Sequence, residues 1–286
     1  MDKNISTALV TIAIPIYNAE NYLHYAIQSC INQTYKNWIL LLMCDGSTDN
    51  STAIAYSMAE KDTRIKVVDD GENKGLVARL NQTIQMTETK YYARMDADDI
   101  MFISRIEEQV RFMEEHQDID VCGSSIMIID NNNSIKGSGL SEGPVLGFFH
   151  PTVFGKTEWF KKNLYAEWAL RAEDFELWNR TISYSKFFSI GKPLLFYREY
   201  GIPIVKKYIQ TQNTILRVFS YYRKYDKTFF WFLSNSLVSI GKICLYQLFS
   251  AFDGIESLVS MRKRKSVSSK QQLRQADLFL SIKFND

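Results

Sequence analysis

Residues suited to soft-metal or redox chemistry are scarce in this chain. Its 286 residues include four cysteines and three histidines. Cys30, Cys44, Cys122 and Cys244 stand far apart, without the paired spacing of a zinc or redox site, and His24, His116 and His150 form no ligand pattern. The thiols read as free and buried, which favours a reducing compartment. An excess of one charge is also missing. Lysine and arginine total 34 against 32 aspartates and glutamates, a net charge of +2, so no nucleic-acid partner is expected. No Gly-x-Gly-x-x-Gly and no Gly-Lys-Ser/Thr follows the first apolar run, which argues against a dinucleotide or P-loop cradle. That run, Ala8 to Ile16, is interrupted by Thr11 and Pro15 and preceded by Asp2. It does not read as a secretory signal, and a cytoplasmic location is expected.

What is present is an ordinary globular composition, 46% apolar and 23% charged, enough for one large core or two modest ones. Leu9 to Ile16 is apolar or β-branched at nearly every position, which predicts a parallel strand buried on both faces. Tyr22, Leu23, Ala26, Ile27, Cys30 and Ile31 then recur at helical spacing. Trp38 to Met43 predicts a second strand, and Cys44-Asp45-Gly46-Ser47-Thr48-Asp49-Asn50-Ser51 supplies turn formers and N-cap residues for a second helix. A third strand, Ile65 to Val68, leads through Gly71-Glu72-Asn73-Lys74-Gly75 to a helix from about Leu76 to Met86. A fourth apolar run ends at Asp96. This alternation predicts an α/β fold, a doubly wound, mostly parallel sheet whose strand ends share one ligand-binding rim.

The fourth run stops at Arg94-Met95-Asp96-Ala97-Asp98-Asp99, three carboxylates within four residues. Like charges so close call for a positive partner. Asp96 and Asp98 project to the same side of an extended backbone and suit a hard divalent cation, with room left for phosphate oxygens. The alternative is an acidic helix N-terminus complementing the helix dipole. Tyr17 and Asp45, on the first two loops, could cradle a nucleobase by stacking and by accepting from a ring N–H; equally, they could be a packing residue and a turn residue. Lys74 could meet a phosphate or remain solvated.

Farther on, Ser104-Arg105-Ile106-Glu107 has the capping-box pattern and opens a helix to about His116. Val121 to Ile129 predicts one arm of a hairpin that turns at Asn131-Asn132-Asn133. Gly137 to Gly147, with four glycines, two serines and Pro144, predicts a loop. His150, preceding Pro151, is expected to be extended and aimed along the rim. Glu173-Asp174-Phe175-Glu176-Leu177-Trp178 predicts a helix start. Its first carboxylates either complement the dipole or provide a general base.

Four motifs now stand in order: Pro15-Ile16-Tyr17-Asn18, Cys44-Asp45-Gly46-Ser47-Thr48-Asp49, Arg94-Met95-Asp96-Ala97-Asp98-Asp99 and Glu173-Asp174-Phe175-Glu176-Leu177-Trp178. Together they resemble the family 2 glycosyltransferases, inverting nucleotide-sugar enzymes of the GT-A fold. The resemblance covers about residues 8 to 200. It implies a nucleotide-sugar donor, most often a UDP-sugar, and a saccharide or lipid-linked glycan acceptor. Pro15, Tyr17, Asp45 and Lys74 are implied on the nucleotide, with Asp96 and the adjoining Ala97 near base and ribose. Asp98 is implied as the ligand of Mn²⁺ or Mg²⁺, and Asp174, beside Glu173, as the catalytic base. Arg94 and His150 are further substrate-site candidates. The family often has two aspartates where this chain has Cys44-Asp45. Asn73-Lys74-Gly75-Leu76, Arg105 to Gln109 and His150-Pro151-Thr152 look like the branch that builds bacterial surface polysaccharides. The rivals are a sugar-nucleotidyltransferase, which would want a Gly-rich, Arg-containing first loop, and a catalytically silent scaffold, which would need no general base.

The organisation expected is a nucleotide-binding half over 1–99, an acceptor-binding and catalytic half over 100–201, and a helical extension over 202–286. In the extension, Phe229 to Phe252 is very apolar yet interrupted by serines, Asn235, Gly241 and Lys242, so a spanning helix is not expected. It reads either as an interfacial segment, with Arg262-Lys263-Arg264-Lys265 attracting anionic lipid on the inner face of the plasma membrane, or as a packed cap.

Overall fold

Strand β1 (Val10–Ile16) lies between β2 (Trp38–Cys44) and β4 (Tyr91–Arg94), parallel to both, with β3 (Ile65–Val68) parallel outside β2. Helices α1 (Leu23–Ile31), α2 (Ser51–Lys61) and α3 (Leu76–Met86) connect them. In this computed structural model residues 9–199, 205–223 and 229–251 are described. They divide into two compact units, residues 9–164 with 184–199, and residues 165–183 with 205–223 and 229–251.

Alternation along β1 assigns the two faces of the first unit's sheet. Val10, Ile12, Ile14 and Ile16 join Ala26, Ile27, Ala55 and Met58 in one buried cluster, which fixes α1 and α2 on that face. The opposite face takes α3 and α5 (Thr157–Lys162): the Tyr92 hydroxyl lies 2.9 Å from Thr83 Oγ1, and its ring packs 5.0 Å from Phe160. The sheet continues beyond β4 through β9 (Phe154–Lys156), antiparallel to its neighbours, then β6 (Val121–Ile129), β10 (Phe187–Arg198) and β5 (Ile100–Met101). The expected mostly parallel α/β sheet is therefore present, with an antiparallel strand inserted at its middle. The expected hairpin forms as well, β6 pairing antiparallel with β7 (Ile135–Gly139).

Three local expectations are corrected. The 137–147 stretch is not all loop: Gly137 to Gly139 belong to β7, and Gly143–Pro144 form a short β8 against β10. Lost side-chain packing at these glycines is offset by backbone pairing with strands already in place. No capping box forms at α4 (Arg105–Glu115). Ser104 makes no side-chain cap bond, and Glu107 instead accepts from the Thr34 hydroxyl at 2.7 Å. His150 is not extended but opens a single 3-10 turn, His150–Thr152. Pro151 fits because a first turn leaves its N–H positions unbonded in any case, and Thr152 closes the turn through N–H and hydroxyl bonds to the Phe149 carbonyl at 2.8 and 2.7 Å.

In the second unit α6 (Glu173–Thr181) packs on α7 (Val205–Arg223), with Phe175 edge-on to Phe219 at 5.5 Å. Helix α7 packs in turn on α8 (Phe229–Ala251). The basic run Arg262 to Lys265 lies outside the described residues.

Candidate active site

The rim begins where β1 and β2 end, and the first two loops are laced together by side chain to backbone bonds. Asn18, at φ +47°, donates its N–H to Ser47 Oγ and accepts from Thr48 N–H at 2.8 Å. Ala19 and Glu20 donate to Ser51 Oγ and Asp49 Oδ2, and Glu20 accepts from Asn50. The turn formers of both motifs are thus spent on each other. Pro15 is half-buried at the end of β1, paired in register with Met43, whereas Tyr17 is 53% exposed and packs as no core residue would.

Asp45 is buried, and its role is to anchor the third loop. Its carboxylate accepts from the backbone N–H of Lys74 at 2.7 Å and of Gly75 at 3.1 Å, and from Arg79 Nε at 2.9 Å. Gly75 is the N-cap of α3, so the carboxylate sits where that helix's unbonded N–H groups begin. Arg79, fully buried, also holds Asp70 and the Glu72 carbonyl, while Lys74 Nζ pairs with Asp70 at 2.6 Å. Arg79, then Lys74, keep the Asp70 carboxyl well below the ordinary carboxylate range. Gly46 is required here. It adopts φ +65°, and a Cβ would lie 2.9 Å from Asn73 N. Asp45 and Lys74, the residues expected at the nucleotide, are therefore already engaged in shaping the loop.

Beyond β4 the chain tightens into the acidic turn. Met95 N–H still bonds the Ala13 carbonyl, and Arg94 pairs with Asp96 at 2.6 Å. Ala97 is buried in the hydrophobic core, which leaves only its backbone for any ligand. Asp96, Asp98 and Asp99 each offer a carboxylate oxygen, all within 4.8 Å of one another. Asp99 is 1% exposed; its Oδ1 accepts from Arg198 N–H at 2.8 Å, while its buried Oδ2 has no hydrogen-bond partner among the described residues. Burial, then the Asp96 and Asp98 charges, push the Asp99 carboxyl well above the ordinary range. Hard oxygen donors gathered against their own repulsion, one of them an orphaned buried atom, fit a divalent cation. Asp98, the expected ligand, is one of the three that could hold it, with Asp96 and Asp99 beside it.

Arg198 braces this turn. Its Nε donates to the Asp98 carbonyl at 2.8 Å, and its two terminal nitrogens donate to the Asp130 carbonyl and Asn133 Oδ1, both at 2.7 Å. The guanidinium stacks 4.0 Å from the Tyr22 ring centroid. One side chain thus joins the acidic turn, the β6–β7 hairpin and the segment entering α1. From below, Arg105 donates to the Arg94 carbonyl at 2.8 Å, and burial lowers its guanidinium to about 10. His150 belongs to this unit too. Burial, then the Arg94 charge, hold its imidazole well below the ordinary histidine value.

In the second unit, Glu173 and Asp174 open α6. Glu173 is buried, and Asp174 is half-buried with Oδ1 accepting its neighbour Phe175 N–H at 2.7 Å. Glu176, also buried, binds Arg180 at 2.9 Å one turn on. Three acids in one first turn match the helix dipole, and of the pair only Asp174 keeps substantial exposure.

Arg79, Asp70 and Arg198 carry the site's scaffold with Asp99, and these three are not announced by any of the motifs. For Arg79 a signal exists: it adjoins Leu80 on the inward arc of a predicted helix, and an arginine there demands a carboxylate. Arg198 merely ends an apolar strand, and nothing local announces its partners.

The chain matches the family model described as glycosyl transferase family 2 over residues 11–175. An uncharacterised glycosyltransferase of Haemophilus influenzae is 30% identical over 226 residues, 72% of this chain and 70% of that one. A second, MJ1057 of Methanocaldococcus jannaschii, is 30% identical over 78% of this chain and 79% of its own. Among solved structures, Staphylococcus aureus TarS 1–349 in complex with UDP-GlcNAc superposes with a TM-score of 0.62 at 15% identity, covering 96% of this chain and 81% of that one. The mannosyltransferase PcManGT of Pyrobaculum calidifontis, in complex with GDP-Man and Mn²⁺, gives 0.60 at 12% identity, over 96% and 86%. These likenesses establish a shared fold, the GT-A type expected from the motifs.

Proposed function

The chain belongs to glycosyl transferase family 2, and we propose that it is an inverting, metal-dependent hexosyltransferase that moves a sugar from a UDP-sugar to a saccharide or lipid-linked glycan in bacterial surface polysaccharide assembly. The observation carrying this is the gathering of Asp96, Asp98 and Asp99 within 4.8 Å at the end of β4. Asp96, Asp98 and Asp99 would hold Mn²⁺ or Mg²⁺, which would supply positive charge to a diphosphate leaving group. The chain's residues do the rest. Tyr17 stacks on the nucleobase beside Pro15, and the loop pinned by Asp45, with Lys74 in it, borders the nucleotide. Asp174 accepts the proton of the acceptor hydroxyl as that oxygen attacks the anomeric carbon. The bond from the anomeric carbon to the phosphate oxygen breaks, and the nucleoside diphosphate leaves with the electron pair. Arg94 holds Asp96 in place, and His150 is a further residue on the substrate side.

Calorimetry with UDP, GDP, CDP and dTDP, with and without Mn²⁺, tests the reading. Metal-dependent UDP binding that Asp98→Ala removes is expected. A folded protein that binds no nucleotide would instead be a silent scaffold.

A further inference from the structure

Helix α8 is built inside out. Its buried positions include Ser236 and Ser239 as well as Tyr246, whereas Leu233, Leu237, Val238, Ile240, Leu245 and Leu248 are exposed, Leu237 by 59% and Leu248 by 55%. Leu233, Leu237, Ile240, Cys244 and Leu248 recur three or four residues apart, so they form one continuous stripe. At the helical rise it is about 22 Å long. The inward side packs on α7, where Tyr246 stacks on Tyr208 with ring centroids 3.8 Å apart. Two buried serines beside Tyr246 and a stripe of outward leucines suit a helix whose surroundings are hydrocarbon, not water.

Charge identifies those surroundings. Neither α7 nor α8 contains an aspartate or glutamate, although the whole chain has 32. Lys206, Lys207, Arg217 and Lys242 on the same two helices are exposed. A second copy of the chain would bring this positive charge against itself, whereas a layer of anionic headgroups complements it. No helix among the described residues is long and apolar enough to cross a membrane. We infer that the α7–α8 pair docks on the surface of an anionic lipid bilayer. The leucine stripe of α8 enters the headgroup boundary, and the basic side chains meet lipid phosphates. Arg262-Lys263-Arg264-Lys265, later in the sequence, adds charge of the same sign.

Vesicle flotation of the full chain tests this, using phosphatidylcholine alone and phosphatidylcholine mixed with phosphatidylglycerol. Binding to the mixed vesicles is expected, weakened by salt and reduced at least ~10-fold by Leu237→Glu combined with Leu248→Glu. Both positions are exposed, so the variant should keep the wild-type circular dichroism and donor binding. Lys206→Glu with Lys207→Glu should lower the preference for the anionic vesicles. Failure of the wild-type chain to bind them, equal binding by the leucine variant, or no change in preference with the lysine variant would each overturn the proposal. Light scattering covers the competing occupant. A wild-type dimer that the leucine variant dissociates, with no vesicle binding, would assign the stripe to a second copy.

Discussion

The backbone N–H of Arg198 lies 2.8 Å from Asp99 Oδ1, joining the end of the last strand of the sheet to the acidic turn after β4. The Arg198 side chain then fixes the neighbouring Asp98 carbonyl. A single residue therefore sets both the position of the innermost carboxylate and the path of the backbone beside it.

Arg198→Lys keeps the charge and the backbone bond to Asp99 but cannot span the carbonyls of Asp98 and Asp130 and the side chain of Asn133. A stability loss of about 3 kcal/mol is expected from the acceptors left unbonded. Mn²⁺-dependent donor binding should weaken roughly 10-fold or more, as for other residues that orient metal ligands. Urea denaturation and calorimetry measure the two effects. Full stability with unchanged donor affinity would remove Arg198 from this role.

Arg79 and Asp45 form a buried pair at 2.9 Å. Arg79→Ala should destabilise the protein by about 3–5 kcal/mol, because it leaves Asp45 charged and buried. Asp45→Asn retains an oxygen for the Lys74 and Gly75 N–H groups and should cost less, about 1–2 kcal/mol. The same denaturation series ranks them, and the reverse order would mean that the backbone bonds, not the ion pair, hold the loop.

Asp174→Asn should lower kcat by about 10²–10⁴ while leaving donor affinity unchanged. Glu173→Gln should act chiefly on stability, since that carboxylate is buried. A transfer assay paired with donor calorimetry separates the cases. Loss of donor affinity in the Asp174 variant would take this residue out of the base role.

His150 titrates well below the ordinary histidine range in the folded chain. The unfolded chain therefore binds more protons just below pH 6.5, so stability is full above about that pH and falls as the solution is acidified towards the folded value. The slope contributed by one such group is at most about 1.4 kcal/mol per pH unit. His150→Gln should remove that component from denaturation midpoints measured between neutral and mildly acid pH. An unchanged profile would show that the ring is not neutral in the fold.

Elements made by local periodicity are legible in the chain itself. The expected bounds of α3, Leu76 to Met86, coincide with the observed helix, and the first four strands fall within a residue or two of their apolar runs. Phe154–Lys156 shows why other elements are not. Three residues carry no usable period, and they become a strand only because β4 and β6 present open edges on either side. Gly137 to Gly139 follow the same logic, since their composition suggests a loop and their neighbour makes them a strand.

The site divides in the same way. Sequence alone determined the kinds of group available: three clustered aspartates, an aromatic and an acid on the first two loops, and a carboxylate pair opening a helix. These follow from covalent order and need no partner to be seen. Tertiary structure alone decided how the groups are used. It turned Asp45 inward to Arg79, buried Asp99 beside Asp98, spent Lys74 on Asp70 and left Tyr17 exposed. A side chain's protonation and availability depend on the charges and dielectric around it, and those are set by residues dozens of positions away.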